Sequence, residues 1–439
     1  MATTYLTRSI SSTSSPNKLT VSFWLKGGQI TSTQQTIFSI YNTGSANLFY
    51  SIYFSSNGSM YLYWKDTSEV ATLGTQQKFR DVNAWYHFVW EMDTTLATAA
   101  DRIKMYINGQ RVTYFEDDLG TITQSKSMDM MENTNGRITI GRGAIGGSDY
   151  YFGGSLSHFY FTDGYAYPAS TFGSTDTTTG EWKINTSPSI TMGTNGFTVL
   201  KDGNTITDQS SNSNDFTLGA GTLTNIVDNP SNVFCTFNPL FPQVNTGTSK
   251  LNTRFETTSG SGWRTMPGTL GMEKNTGKYY MEFKHLGGTN NGYGIADYTN
   301  GGVVDKINRH VSTYAGNNAN SYGYLSQGEF FYNGSYTASG WNSYTTNDII
   351  GMAVDMENMK LYFHKNGTYE NSGNPTAGSG GYTIADPVGA YLPVGSVNAG
   401  ILCANFGNGI FDTTAISSEG SNASGIGKFE YDVPTGYTA

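Results

Sequence analysis

The stretch LFYSIYFSSNGSMYLYW, residues 48–64, decides the fold. Two runs rich in aromatic residues, 48–54 and 60–64, flank the pair Asn57-Gly58 and show the two-residue alternation of strands. Both residues of an Asn-Gly pair tolerate a positive φ, which a two-residue hairpin turn requires. This stretch therefore predicts a β-hairpin.

The same Asn-Gly signal occurs nine times along the chain. One pair separates the runs 103–107 and 111–114, and a third hairpin is predicted for 349–354 and 361–364. No segment carries an apolar stripe with the 3.6-residue period of a helix over three turns. We therefore expect an all-β protein, with almost no helix beyond one turn near residues 168–172.

Composition narrows the class of protein. Charged residues make up 13 % and aromatic residues 14 % of the 439 residues, which argues against an intrinsically disordered chain. The net charge is −9 and no Lys/Arg cluster stands out, so no nucleic acid is expected as a partner. The sequence has neither an apolar run of about 18 residues nor a signal-peptide core. We therefore expect that the chain does not insert into a membrane. We also expect it to be synthesised in a cytosol, with Cys235 and Cys403 reduced.

The alternation is clearest in residues 19–25, where four apolar side chains point one way and Trp24 points the other. The tryptophan indicates that the second face of this strand is covered as well. Antiparallel sheets buried on one face and partly on the other predict a two-sheet sandwich. Composition predicts a first sandwich at 1–172, a linker rich in Thr, Asn and Ser at 173–250, and a second sandwich at 251–439.

Several runs resemble known families. Those that resemble a laminin-G-like domain of the concanavalin-A-like class are LTVSFWLKGG (19–28), WYHFVW (85–90), IKMYING (103–109), RITIG (137–141) and FGGSLSHFYFTDG (152–164). Those that resemble a SPRY domain are GKYYMEF (277–283), GIA (294–296), DIIGMAVDMENMKLYFHKNG (348–367) and NFGNGIF (405–411). Met281 stands where the SPRY pattern usually has Trp. The block 172–240 looks like a linker of marine bacteriophage virion proteins, through GEW (180–182), GTNGF (193–197), NDF (214–216) and DNPSNVFCTFNPL (228–240).

The resemblance implies a phage structural protein, as a capsid decoration or a tail or head fibre, whose lectin-like domains adhere to host-surface glycans. It implies binding and not catalysis, a place on the virion, other virion proteins as partners, and a homo-oligomer on the particle. One alternative is a purely structural subunit whose aromatic surfaces bind other virion proteins. A second alternative is a polysaccharide hydrolase.

The hydrolase alternative needs two carboxylates on one face of a strand, as in the β-glucanases of the concanavalin-like class. The pairs Glu91/Asp93 and Asp355/Glu357 have the i, i+2 spacing, but they lie at a strand end and a turn, and neither completes the glucanase pattern. The five histidines lack metal-ligand spacing, and no Gly-X-Ser-X-Gly elbow occurs. We therefore expect that the chain is not an enzyme.

Aromatic residues in turns are candidate ligand contacts, because their faces stack on sugar rings and Tyr-, Ser-, Gly- and Asn-rich surfaces suit recognition. Eight lie in stretches rich in Gly, Asn and Ser: Tyr150, Tyr151, Tyr293, Tyr298, Tyr332, Tyr336, Trp341 and Tyr344. The alternative is that these rings pack on neighbouring strands or virion subunits. Asp208 and Asp215 are candidate Ca²⁺ ligands, with Asx turns as the alternative.

Overall fold

The computed structural model describes residues 3–27, 33–67, 69–120, 122–132, 134–145, 148–201, 206–241, 246–249, 251–257, 262–288, 290–297, 313–318, 320–338 and 340–439. The chain divides into two units. The first comprises Met1–Asn225 and Asn229–Ser231, and the second comprises Ile226–Asp228 and Asn232–Ala439.

The described part of the first unit contains an eight-stranded and a six-stranded antiparallel sheet. Its strands are Tyr5–Ser9 (β1), Lys18–Gly27 (β2), Gln35–Asn42 (β3), Ser45–Phe54 (β4), Ser59–Lys65 (β5), Val70–Lys78 (β6), Trp85–Asp93 (β7), Ile103–Ile107 (β8), Gln110–Arg111 (β9), Phe115–Leu119 (β10), Gly136–Ile140 (β11), Arg142–Ile145 (β12), Ser148–Tyr151 (β13), Gly154–Asp163 (β14), Gly173–Thr175 (β15), Trp182–Ile184 (β16), Phe197–Val199 (β17) and Thr217–Ala220 (β18). The sheet orders are β10-β6-β5-β4-β3-β11-β1-β18 and β17-β14-β2-β7-β8-β9, with separate hairpins β12-β13 and β15-β16.

The second unit repeats this two-sheet plan within its described residues. Its strands are Thr246–Ser249 (β19), Arg254–Thr257 (β20), Trp263–Pro267 (β21), Lys278–Gly287 (β22), Asn290–Asp297 (β23), Ser321–Leu325 (β24), Glu329–Tyr332 (β25), Ser335–Ala338 (β26), Ile349–Asp355 (β27), Lys360–Lys365 (β28), Thr368–Tyr369 (β29), Tyr382–Thr383 (β30), Tyr391–Asn398 (β31), Ile401–Asn405 (β32), Ile410–Phe411 (β33) and Thr414–Ala415 (β34). One sheet runs β19-β20-β32-β22-β27-β28-β29, with β30 also on β28, and the other runs β21-β31-β23-β24-β25-β26. The short hairpin β33-β34 lies apart.

Helix is confined, in the described residues, to single 3₁₀ turns at Ala99–Asp101, Ala169–Thr171 and Glu370–Ser372. The all-β prediction is confirmed, including the one turn near residues 168–172. Over the same part of the chain, the structure has no helix with the length and apolar character needed to cross a membrane.

Each unit has its own apolar core. In the first core Phe23 and Phe159 stack with ring centroids 5.2 Å apart, and in the second Phe283 and Tyr293 stack at 4.9 Å. Burial of one large apolar side chain contributes about 1.5–3 kcal/mol to stability. Met281 fills a core position with 2 % of its surface exposed, as a flexible thioether can.

The predicted hairpins form, although one of them turns differently. Asn108 and Gly109 both have positive φ (46° and 79°) and join β8 to β9 as a two-residue turn. In the hairpin of β4 and β5 only Gly58 has a positive φ, because the loop is longer and the Ser55 carbonyl accepts the Gly58 N–H at 3.0 Å. The Asn57 side chain instead accepts the Ser59 N–H at 2.9 Å.

The second face of β2 is covered, as Trp24 predicted. Trp24 is 5 % exposed and stacks on His87 of the next strand at 4.9 Å. The indole of Trp182, from the hairpin β15-β16, lies nearly parallel to the His87 ring with centroids 6.0 Å apart, and it donates its Nε1–H to His87 Nδ1 at 3.0 Å. His87 Nε2 must then carry the proton and donate to the Ser22 hydroxyl at 2.9 Å.

The segment 173–250, expected to form a linker, is divided between the two sandwiches instead. Strand β17 pairs with β14 and strand β18 pairs with β1, so these two strands extend the sheets of the first unit, to which the residues up to Asn225 belong. Strand β19 pairs with β20 in the second unit. The polar composition of the segment 173–250 did not indicate these strands, because short edge strands need few apolar residues.

A buried carboxylate on β22 binds the backbone of residues 430 and 431 within the second unit. Glu282 has no exposed surface and accepts hydrogen bonds from the backbone N–H groups of Glu430 (3.0 Å) and Tyr431 (2.8 Å). The Tyr280 hydroxyl (3.1 Å) and the Asn405 amide (3.3 Å) also donate to it. Burial is the main cause that raises the pKa of Glu282 to about 7, while its hydrogen-bond donors oppose the rise.

Candidate functional site

The eight-stranded sheet of the first unit carries a group of aromatic rings on the face turned away from the core. We call it the aromatic face and define it as Tyr41, Phe49, Tyr53, Tyr61 and Tyr63. Cross-strand pairs place them together: Tyr41 opposes Phe49, and Tyr53 opposes Tyr61. Tyr63 opposes Ser51, which lies between Phe49 and Tyr53 on the same side of β4.

The rings lie at contact distance across three adjacent strands. Tyr53 and Tyr61 are nearly parallel, with centroids 5.4 Å apart and planes 14° apart. Phe49 lies 6.4 Å from Tyr41 and 6.2 Å from Tyr63. Tyr41, Tyr53 and Tyr63 are partly exposed, whereas Phe49 and Tyr61 keep 8 % of their surface. The aromatic face thus consists of two groups of touching rings, one of Tyr41, Phe49 and Tyr63 and one of Tyr53 and Tyr61, with three accessible phenols.

Hydroxyl groups lie beneath and between these rings. Ser39 and Ser51 oppose each other on β3 and β4, with their oxygens 3.1 Å apart and no exposed surface.

Burial raises the pKa of Tyr53 to about 12 and raises that of Tyr41 despite the opposing charges of Arg142 and Arg137. These phenols therefore stay protonated near neutral pH and can both donate and accept hydrogen bonds.

The sheet makes room for one of the rings by means of a glycine. A Cβ at Gly74, which opposes Tyr61, would lie 2.4 Å from the Tyr61 ring, so a larger residue there would displace the ring. The Tyr61 hydroxyl donates to the Asp117 carboxylate of β10. Burial and this contact raise the pKa of Tyr61. The ring is therefore held flat against β6.

Two predicted residues lie beside the aromatic face, on the hairpin β12-β13 that folds over β3. Tyr151 donates to Asp149 at 3.1 Å, and its ring is 6.1 Å from that of Tyr5. Arg142 lies over the Tyr5 ring and pairs with Asp149 at 2.7 Å. Tyr150 opposes Gly143 on the same hairpin and is partly exposed.

The remaining predicted rings belong to the second unit, and the structure does not gather them into one exposed group. Tyr293 and Tyr344 were expected in accessible turns, but they are 0 % and 2 % exposed and stack on each other at 5.4 Å in the core. The expectation is wrong for these two, because Tyr293 lies on the core-facing side of β23 and the Tyr344 hydroxyl donates to the Asn291 carbonyl at 2.9 Å. Tyr298 lies outside the described residues.

Three of the predicted rings are at least partly accessible. Tyr332 stacks on Tyr322 at 4.5 Å, and Trp341 packs on Phe330 at 4.9 Å. Tyr336 is 49 % exposed and ends a row of rings that continues through Phe331, Tyr314 and Trp263, with successive centroids 5.7, 5.3 and 5.0 Å apart. Neighbouring planes in this row are turned by 46° to 83°, so the row offers no flat platform.

The carboxylate pairs weighed for catalysis are engaged elsewhere. Glu91 accepts from Lys104 Nζ (2.9 Å) and from the Tyr106 hydroxyl (2.8 Å), and Asp93 pairs with Lys18 at 2.8 Å. In the second pair, Asp355 is fully buried, caps the turn that follows it and pairs with Lys278 at 2.9 Å.

The candidate Ca²⁺ ligands are hydrogen-bond acceptors of a polar turn. The Asp208 carboxylate accepts the backbone N–H groups of Thr198, Ser210 and Asn214 at 2.8–2.9 Å, and Asp215 accepts the Asp208 N–H at 2.9 Å. Across the described ranges, no three His, Cys, Asp or Glu side chains are grouped so that they could hold a metal ion.

The residues of the aromatic face were missed from the sequence, although a signal for them was present. Tyr53, Tyr61 and Tyr63 all fall on one parity of the alternation in 48–64, while Tyr50, Ile52, Leu62 and Trp64 fall on the other and enter the core. When the side of a strand that faces away from the core is also aromatic, the pattern indicates an aromatic surface on the outside of the sheet. The predicted rings lie in turn-like sequence, whereas the rings of the aromatic face lie within strands.

Comparison with family models covers both units. Residues 2–168 match the model described as the concanavalin A-like lectin/glucanases superfamily, and residues 278–404 match the SPRY domain. No curated protein matches the chain.

Solved structures with distant similarity include the SPRY domain of human HERC1 (15 % identity, 38 % of this chain and 96 % of that chain, TM-score 0.30). A heptameric SAP-like pentraxin from Limulus polyphemus has 18 % identity over 46 % of this chain and 90 % of its own, with a TM-score of 0.29. The CBM40 domain of a Ruminococcus gnavus IT-sialidase, bound to α2,3 sialyllactose, has 16 % identity over 34 % and 85 %, with a TM-score of 0.25. By these two matches, residues 2–168 form a concanavalin A-like domain and residues 278–404 form a SPRY domain that follows it, and both are β-sandwiches in the structure.

Proposed function

We propose that this chain binds glycans through the aromatic face of its first unit. The observation that carries the proposal is the group of five rings on the outer side of β3, β4 and β5, with protonated phenols at its surface. A sugar presents apolar C–H edges and hydroxyl groups together, and tyrosine offers a matching apolar body and polar tip. Tyrosine also contributes contact area at low cost in conformational entropy.

The inner side of the same strands supports this assignment. Tyr50, Ile52, Leu62 and Trp64 already supply the core from β4 and β5, so the sandwich does not need the outer rings for burial. Large rings left partly exposed on a sheet face favour recognition of a partner. The pairing of Tyr61 with Asp117 and the clearance at Gly74 fix one ring in place before any ligand arrives, which lowers the cost of binding.

The binding experiment measures the full chain against a panel of immobilised host-surface polysaccharides. Tyr41→Ala and Tyr63→Ala should each lower affinity for the bound glycan about tenfold, as expected when an aromatic contact of about 1–2 kcal/mol is lost. The matched control is Tyr165→Ala, a tyrosine 42 % exposed in the loop after β14 of the other sheet, which should bind as the wild type. Equal loss in all three variants, or in none, contradicts the proposal.

We further propose that the chain is a bacteriophage virion component that presents this surface outward. Support comes from the resemblance of the block 172–240 to phage virion linkers and from the succession of two binding-type sandwiches. Purified particles examined by mass spectrometry and immunogold labelling should contain the protein on capsid or tail. Particles that lack it would remove the virion assignment and leave glycan binding to stand by itself.

The proposal assigns adhesion and not hydrolysis. Glu91, the most buried carboxylate of the first pair, has both oxygens occupied by Lys104 and Tyr106. Incubation of the full chain with a bound polysaccharide should release no reducing sugar above a buffer control. Release that is abolished by Glu91→Gln would establish the hydrolase alternative.

A further inference from the structure

One edge of the aromatic face is cationic. Reading across the sheet in register, Lys65 on β5 opposes Phe49 on β4, Phe49's other neighbour on β3 is Tyr41, and Tyr41 opposes Arg137 on β11. Residues directly opposed in adjacent strands share a face and lie about 5 Å apart at Cβ. Two rings are therefore flanked by two cations in one straight cross-strand row, which we call the cationic row.

Neither cation of this row is neutralised by a neighbour. Among the described residues, Lys65 forms no ion pair, and Arg137 forms none and donates one Nη to the adjacent Gly136 carbonyl at 2.9 Å. Both side chains are partly exposed. By contrast, Arg142, the other cation near Tyr41, is paired with Asp149 by two contacts of 2.7 and 3.0 Å.

The carboxylates of this surface lie on a different row. Asp117 opposes Gly74, which opposes Tyr61 and then Tyr53, so the acid stands at the end of a parallel row four residues away along the strands. It is already held by the Tyr61 hydroxyl. The chain as a whole carries a net charge of −9. An excess of basic residues therefore does not account for two cations without ion-pair partners beside two rings.

We propose that the cationic row selects an acidic polysaccharide, with anionic groups on Lys65 and Arg137 and sugar rings over Phe49 and Tyr41. This inference rests on the proposed glycan binding and names the chemical class of its ligand. A guanidinium donates two parallel hydrogen bonds to a carboxylate or sulfate, and a lysine ammonium acts as a point charge. The two rings between them supply the apolar contact that a neutral stretch of the same chain requires.

The overall negative charge makes this selection specific. The field of the whole molecule repels a polyanion, so binding of an acidic chain requires a local site instead of a general basic surface. Binding at the cationic row should weaken as salt is raised, because both cations are partly exposed and screened.

The test compares three polymers with one backbone: dextran, carboxymethyl-dextran and dextran sulfate. The full chain should bind one or both charged polymers at least tenfold more tightly than dextran, and their order distinguishes a carboxylate from a sulfate ligand. Lys65→Gln and Arg137→Gln should each reduce that affinity about threefold to tenfold, in line with the loss of one charge-assisted contact at a partly exposed site. Arg111→Gln is the matched control, because Arg111 lies on β9 of the other sheet and pairs there with Asp101.

The outcomes separate this inference from the proposed function. Equal binding of dextran and its charged derivatives, or equal affinity of Lys65→Gln, Arg137→Gln and Arg111→Gln, overturns the acidic selection. If the polysaccharide panel still depends on Tyr41 and Tyr63, glycan binding stands without it. Unchanged thermal unfolding of the variants shows that a lost affinity is not a loss of fold.

Discussion

The buried carboxylate of the second unit allows a quantitative prediction about stability and pH. Glu282 lies on β22 and accepts the backbone N–H groups of residues 430 and 431. A chain of hydrogen bonds connects His364 to this carboxylate. The Gly367 N–H donates to His364 Nδ1, so His364 Nε2 carries the proton and donates to the Tyr280 oxygen, and the Tyr280 hydroxyl donates to Glu282. Burial lowers the pKa of His364 to about 4, which keeps this imidazole neutral.

The direction of the pKa shift of Glu282 determines whether stability rises or falls with pH. The pKa of Glu282 is about 7 in the folded chain, above the value of 4.5 that applies without burial, so the folded state holds the proton more tightly than the unfolded state. Protonation therefore favours folding, and this favourable contribution is lost as the pH rises through the folded pKa. The full shift corresponds to about 3 kcal/mol, of which about 2.5 kcal/mol falls between about pH 5 and about pH 8.

The perturbation is Glu282→Gln, which removes the titration at nearly constant volume. Urea unfolding of both proteins, followed at several pH values, gives the difference in unfolding free energy. The amide of the variant leaves some donors unpaired and shifts the absolute stability, so the readout is the change of this difference with pH. The wild type should lose about 2.5 kcal/mol relative to the variant over that range.

The control is Glu273→Gln, an exposed carboxyl of the same unit. Its difference from the wild type should not vary with pH by more than a few tenths of a kcal/mol, as for ordinary surface substitutions. A pH-independent difference between wild type and Glu282→Gln, or one of opposite sign, would refute the reasoning. Amide exchange at residues 430 and 431 should follow the same pH dependence in the wild type.

Two further predictions concern the packing of the hairpin β15-β16 on the first unit. Gly109→Ala should lower the unfolding free energy by about 3 kcal/mol, because its Cβ would lie 2.4 Å from the Trp182 ring and its φ is positive. Gly180→Ala, with a positive φ but nothing within 4 Å, should lose only about 1 kcal/mol, and similar losses in the two variants would contradict the contact. Trp182→Ala should cost about 2–4 kcal/mol in urea unfolding, because it removes the indole packed beside His87 and leaves Nδ1 without its donor. Trp182→Phe should recover the larger part of that loss, and no recovery would show that the indole N–H dominates.

The fold was largely predictable because its signals are local. The Asn-Gly pairs and the alternation in 48–64 specify hairpins, and Trp24 indicated a covered second face that the structure confirms. The segment 173–250 was less predictable, since strands such as Thr217–Ala220 gain their order from pairing with β1 and not from their own residues. Tertiary pairing decides such edge strands, and no local pattern reports it.

The candidate site was harder to predict, because exposure depends on which side of a strand faces the core. Tyr293 and Tyr344 lie in Gly- and Asn-rich sequence, yet both rings are buried. Tyr41 and Tyr63 lie in apolar runs, yet both are partly exposed. The cationic row required register as well, since Lys65 and Arg137 are distant in sequence and flank the Tyr41–Phe49 pair only through the pairing of β11, β3, β4 and β5.

The most direct test of glycan binding is hydroxyl-radical footprinting of the full chain, read by mass spectrometry with and without a bound polysaccharide. We expect the ligand to lower oxidation of Tyr41, Tyr53 and Tyr63 and to leave Tyr165, in the loop after β14 of the other sheet, unchanged. Protection at Tyr165 or Tyr336, with the aromatic face oxidised as before, would contradict it.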